Sequence, residues 1–136
     1  MSKEFGLKNL TFEQKNKMNT LIWILQGITA FAFIFSGINK AYFDEKILVK
    51  KGQTGVEGLD KWFIKFIGIS EMLGATALIV PMLIDKWTIL TPIASVCLGL
   101  IMIPASYIHN KRKEPKNVMI NIAIFIVCGL IACYRM

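Results

Sequence analysis

Four apolar runs, at 21–39, 62–84, 87–108 and 117–134, dominate the chain, and of its 16 Lys and Arg and nine Asp and Glu only Lys65 and Glu71 fall inside them. A bilayer core of roughly 30 Å needs about 20 apolar residues of helix, which each run approaches or exceeds. Membrane-spanning strands are about half as long and alternate in polarity, so the runs exclude a β-barrel as well as a soluble enzyme fold. The pattern predicts an all-α protein, an integral-membrane bundle of four transmembrane helices over about 12–40, 61–84, 87–109 and 116–134. Thr11-Phe12-Glu13-Gln14 fits a capping box, which starts the first helix near Phe12 and leaves a polar N-terminal segment, 1–11. Eighteen mostly polar residues precede a run long enough to span, so the first helix is expected to be an uncleaved anchor and not a secretory signal.

Composition agrees with this reading. At 136 residues, 54% hydrophobic and with a mean hydropathy of +0.53, the chain is one domain and too apolar for an ordinary soluble one. The net charge of +7 sits in short segments flanking the runs, where cations meet lipid headgroups, so it points to the bilayer and not to nucleic acid. Trp62 and Trp87 open the second and third runs, and Tyr42, Tyr107 and Tyr134 lie near helix ends, as an interfacial belt requires. Lys3, Lys8, Lys15, Lys17, Lys86 and Arg135 mark one side. The larger basic set, in 40–61 and 111–116, marks the other and leans toward both longer loops being cytoplasmic. Cys97, Cys128 and Cys133 have no metal-ligand spacing and are expected to be buried and unreactive.

The links Asp85-Lys86 and 110–116 are short, so consecutive helices are expected to be antiparallel. Asp60 is positioned to cap the second helix, Pro81 removes a donor near its end, Pro92 and Pro104 are expected to bend the third, and Pro115 opens the fourth. The longer connection, 41–61, reads as a loop with turn signals at Gly52 and Thr54-Gly55 and a short apolar Ile-Leu-Val.

Candidate chemistry centres on Glu71, nine residues past Trp62 and so about 13 Å into the bilayer. A charged group at that depth costs ~2.5–3.5 kcal/mol on insertion scales, and such residues face a bundle interior, paired or protonated. Gly68, Gly74 and Ala75 beside it let another helix approach closely. Stripes of small and polar residues run down the other helices: Gln26, Ala30, Phe33, Gly37 and Lys40; Ser95, Gly99, Met102, Ser106 and His109; Asn117, Asn121, Ile124 and Cys128. Antiparallel order places Lys40, Lys65, His109, Asn117 and Asn121 in one leaflet with Glu71 deeper, a candidate polar cavity opening toward 41–61 and 110–116. The ligand-binding candidates are Lys40, Lys65, Glu71, His109 and Asn121, and the helix-packing glycines are Gly37, Gly68, Gly74 and Gly99. Plainer roles stay open: Lys40 and Lys65 snorkelling to phosphates, His109 at the interface, Glu71 as a protonated helix tie. One histidine is too little for a metal site, and no Ser-His-Asp order, P-loop or glycine fingerprint is present.

The run Ser36-Gly37-Ile38-Asn39-Lys40, the run Gly68-Ile69-Ser70-Glu71-Met72-Leu73-Gly74-Ala75 with Pro81 following, and His109 before a basic turn resemble the DoxX-like family over about 19–134. The resemblance implies a bacterial four-helix protein of the inner membrane. It also implies association with membrane oxidoreductase assemblies, thiosulfate:quinone oxidoreductase among them, and marks Gly37, Lys40, Gly68, Glu71, Gly74, Pro81 and His109. No cysteine pair or haem-ligand arrangement supplies redox chemistry within the chain, so whether it is itself an enzyme stays open. The leading expectation is an accessory membrane subunit whose cavity holds a quinone for a partner redox protein. The alternatives are a small proton-coupled carrier, acting as a homo-oligomer, and a membrane scaffold or assembly protein.

Overall fold

A computed structural model describes residues 10–136, so most of the polar N-terminal segment, with Lys3 and Lys8, lies outside the described residues. Helix α1 spans Phe12–Tyr42, and its 31 residues make about 46 Å, well beyond the hydrocarbon core, so its first turns stand in the headgroup zone. The capping box forms: Gln14 N–H donates to Thr11 Oγ1 at 3.2 Å, and Thr11 N–H donates to Gln14 Oε1 at 2.9 Å. Helices α3 (Lys61–Leu83), α4 (Leu90–Lys111) and α5 (Pro115–Arg135) are the other three long apolar segments. Among the described residues there is no strand. Helix α1 packs along α3 and α4 along α5, α3 lies against α4, and a thinner α1–α5 contact closes the bundle.

Three sequence expectations need correction. The segment 41–61 is not a plain loop: it forms a short helix α2 (Glu45–Lys50) and a 3₁₀ turn (Thr54–Val56). Leu48, from the Ile-Leu-Val, is fully buried against Val56 and Ile64, so burial of one leucine docks the segment on the start of α3. The third spanning helix begins at Leu90 rather than 87, because Asp85 and Trp87 take left-handed backbone angles (φ 53° and 55°) that no helix contains. Pro92 consequently sits in the first turn of α4, where its missing N–H has no intrahelical partner to lose, and only Pro104 is interior. Finally, only Cys128 is buried, whereas Cys97 and Cys133 face outward.

Other expected devices are present in part. Asp60 occupies the N-cap of α3 but makes no side-chain capping bond. Pro81 leaves the carbonyl of Ala77 without its i+4 donor, and the Thr91 hydroxyl supplies one at 3.1 Å. The core joins Ala30, Phe33, Ala75, Leu78, Leu98, Met102, Cys128 and Ile131 from all four spanning helices. Outside it, large apolar side chains such as Phe31, Leu73 and Leu83 are exposed, and Tyr42, Trp62, Trp87 and Tyr107 stand exposed near helix ends. An apolar exterior with an aromatic rim suits lipid and not water.

Candidate functional site

The site begins where α1 and α3 cross. A Cβ added to Gly37 would lie 2.5 Å from the Gly68 carbonyl oxygen, and one added to Gly68 would lie 2.7 Å from the Gly37 oxygen. The two backbones therefore touch at this point, which only paired glycines permit. Gly74 and Gly99 serve the same end elsewhere, against Leu98 and Cys128. Lys40 and Glu71 each follow their crossing glycine by one turn, but on antiparallel helices, so Lys40 is nearer the loops and Glu71 is deeper. The lysine stem spans the difference. Lys40 Nζ lies 2.7 Å from Glu71 Oε1 and donates to Ser36 Oγ at 2.9 Å, and the Ser36 hydroxyl donates to Glu71 Oε2 at 3.0 Å. The triangle engages both carboxylate oxygens of a Glu71 that is 1% exposed. Lys40 turns into the protein instead of out to phosphate, and the two charges cancel where each alone would be costly.

Around this pair lies a cavity of about 460 Å³, lined by all four spanning helices and by residues 52–59 of the α2–α3 connection. Its walls are mostly apolar, including Phe33, Phe63, Phe66, Ile101, Met102, Ile120 and Ile124. The polar groups converging on it are Ser36, Lys40, Ser70, Glu71, His109, Asn117, Asn121 and Gln53. Thus Lys40, Glu71, His109 and Asn121 come together in one space. Lys65 does not join them: its ammonium donates to the Ala41 carbonyl at 2.9 Å and so caps the end of α1. Trp62 is exposed outside the lining, and Phe63 and Phe66, themselves exposed on their outer sides, border the cavity in its stead.

A second network, which the sequence did not disclose, fastens the roof. Glu114, just before α5, accepts from the Thr54 hydroxyl at 2.6 Å, from Arg112 Nε at 2.9 Å and from Asn117 Nδ2 at 3.1 Å. His109 Nδ1 lies 2.7 Å from the same carboxylate, and that contact assigns the Nδ1 proton. Arg112 also pairs with Glu57 of the connection. These donors, the Thr54 hydroxyl first and then His109, Arg112 and Asn117, hold the Glu114 carboxyl well below the usual carboxylate range. Gly55 rests on the imidazole, since a Cβ there would come within 3.1 Å of His109 Nε2. His109 is therefore both cavity wall and roof anchor. The available signal was that Glu114 is the one acid in the basic stretch 110–116.

Two polar atoms at the cavity stand apart. Gln53 Oε1, an acceptor, and Asn121 Nδ2, a donor, are buried without a hydrogen-bond partner among the described residues. Among those residues, no three His, Cys, Asp or Glu gather in a way that would hold a metal ion.

Four apolar helices around a mostly apolar cavity of ligand size, with a few polar groups converging on it, define a multi-pass membrane protein. The family's sequence model matches residues 24–131, and the chain belongs to the DoxX-like family. No curated protein and no solved structure matches it.

Proposed function

We propose that the protein is an accessory subunit of a quinone-linked redox system in a bacterial inner membrane, holding a quinone-class carrier in its cavity for a partner redox protein. The observation that carries this reading is the cavity itself. Its ~460 Å³ falls in the ligand-binding range of roughly 300–1,000 Å³, its walls are apolar, and its polar groups cluster around the Lys40–Glu71 pair. A lipid-soluble carrier needs apolar walls for its ring and tail and one or two donors for its oxygens, which Lys40 and Asn121 are placed to supply. The redox setting follows from the family resemblance. The closed Ser36–Lys40–Glu71 triangle favours this over a proton-coupled carrier, because both oxygens of Glu71 are already engaged within the protein, one by the Lys40 ammonium and one by the Ser36 hydroxyl.

The test is equilibrium binding of a short-tailed menaquinone analogue to the protein in lipid nanodiscs, with empty nanodiscs as the partition control. The expected result is saturable binding above partition, weakened several-fold in the charge-neutral Lys40→Met/Glu71→Gln double variant. Uptake equal to that of empty nanodiscs would refute the proposal.

A further inference from the structure

Burial along α5 changes where the cavity lies. Ile120 and Ile131 are separated by about three helical turns and so share one face. Ile131 is 0% exposed, in the core with Ala30 and Phe33 of α1, whereas Ile120 is 47% exposed and lines the cavity. Helix α1 repeats the change over about two turns: Thr29 is buried, and Ser36, on the same face, is only half-buried. Among the described residues, the hydrogen bonds between α1 and α5 are those of Arg135 to Gln26 and Asn19, at the far end of the bundle. At the depth of the Lys40–Glu71 pair the α1–α5 seam is therefore uncovered, and Ala32 and Ile120 are each both cavity lining and outer surface.

The other edges are obstructed. Gly37 and Gly68 bring α1 and α3 into backbone contact beside the pair, and the roof is pinned by Leu48 and by the Glu114 network. The α3–α4 edge carries the stacked rings of Phe63 and Phe66, centroids 6.4 Å apart, where the α1–α5 edge has the single methyl of Ala32. Outside that methyl lies bilayer hydrocarbon, since the neighbouring Phe31 and Phe35 are exposed. A cavity of about 460 Å³ takes a drug-sized body but not a bilayer-length chain as well. We infer that the site opens sideways into the bilayer through the α1–α5 seam and takes a chain-bearing amphiphile, its polar ring beside Lys40 and Glu71 and its chain passing between Ala32 and Ile120 into lipid. The inference rests on the carrier reading above and adds the route by which the carrier enters and the part of it that stays outside.

The probe is a menaquinone analogue whose short chain carries a diazirine. Its binding to the nanodisc-embedded protein is measured against empty nanodiscs, the sample is irradiated, and label counts only where excess unlabelled analogue displaces it. The expected label falls on the two edges of the seam, at Ala32 to Ser36 and Ile120 to Ile124. Saturable binding with displaceable label elsewhere overturns the lateral route and leaves the carrier site standing, whether that label falls on Phe63 and Phe66, on the roof at 52–59 or only on enclosed residues such as Met102. Absence of saturable binding overturns both readings. A second variant checks the seam without labelling. Ala32→Trp narrows it, and affinity for the chain-bearing analogue should fall at least about five-fold further than affinity for chain-free menadione, as when one or two methylenes lose their burial. An equal change for the two compounds contradicts the route.

Discussion

The two halves of the bundle use the same residue types in opposite ways. Toward the short α3–α4 turn, polar side chains tie one helix to the backbone of the next. Gln26 Nε2 donates to the Leu78 carbonyl at 2.7 Å, Ser95 Oγ to the Cys128 carbonyl at 2.7 Å, and Thr91 to Ala77. Arg135 completes that end by donating to Gln26 Oε1 and Asn19 Oδ1 at 2.7 and 2.9 Å, with one guanidinium nitrogen left over. Toward the long connection, Ser36, Lys40, Glu71 and Asn121 stand around a space, and their partners are one another or none. A buried hydroxyl or amide is structural cement where it reaches the backbone of a neighbouring helix, and part of the cavity lining where it meets only other side chains or open space. Sequence spacing alone does not separate the two cases, because both place polar residues on the inward stripe.

The sharpest way to break the comparison is to unbalance the ion pair. Lys40→Met leaves Glu71 buried without its cation and should cost about 3–5 kcal/mol, whereas the double variant Lys40→Met/Glu71→Gln should recover most of that loss. Unfolding of the bicelle-reconstituted protein by SDS titration measures both, and a double variant as unstable as the single would contradict the role assigned to the pair. Next in size is the helix crossing. Gly37→Val or Gly68→Val must push α1 from α3 and should lose about 1–3 kcal/mol. By contrast, Gly27→Ala and Gly129→Ala, with open space around them, should gain up to roughly 0.5–1 kcal/mol from helix propensity. A smaller contrast sets the two halves directly against each other. Ser95→Ala gives up an interhelical bond, about 0.6 kcal/mol in membrane proteins, while Asn121→Leu should cost the unliganded protein nothing, since its amide nitrogen has no bond to lose.

The smallest effect concerns the roof. Glu114 has a carboxyl pKa lowered in the folded state, so it binds fewer protons there than in the unfolded chain. Its contribution is full above the ordinary carboxylate value near 4.5 and drains away as pH falls from there toward the lowered folded value. Thermal melts between neutral pH and about pH 3 should therefore show a fall in stability that is shallower in Glu114→Gln, the donors being Thr54, His109, Arg112 and Asn117. An identical slope in the two proteins would remove Glu114 as the anchor.

Much of the site was legible because charge inside a bilayer is costly: Lys65 and Glu71 stand out in otherwise apolar runs, and helical spacing then aligns Glu71 with Lys40, His109 and Asn121. Depth did not reveal partners, however. Lys65 and Lys40 occupy similar levels, yet one caps α1 and the other reaches inward to Glu71. The Glu114 network was hidden because its members come from Thr54, His109, Arg112 and Asn117, which share no period and meet only after the connection docks through Leu48. The start of α4 was misplaced because hydropathy does not register the left-handed turn at Asp85 and Trp87.

The central claim, that the cavity around Lys40–Glu71 holds a lipid-soluble carrier, is tested most directly by photolabelling. An azido-naphthoquinone is irradiated with the nanodisc-embedded protein, and the labelled peptides are mapped by mass spectrometry. The account predicts label on the cavity wall, at Phe66 to Glu71 and Ile120 to Ile124, displaced by excess unlabelled analogue. Label spread over outward residues such as Leu73 and Leu100, and unaffected by competitor, would contradict it.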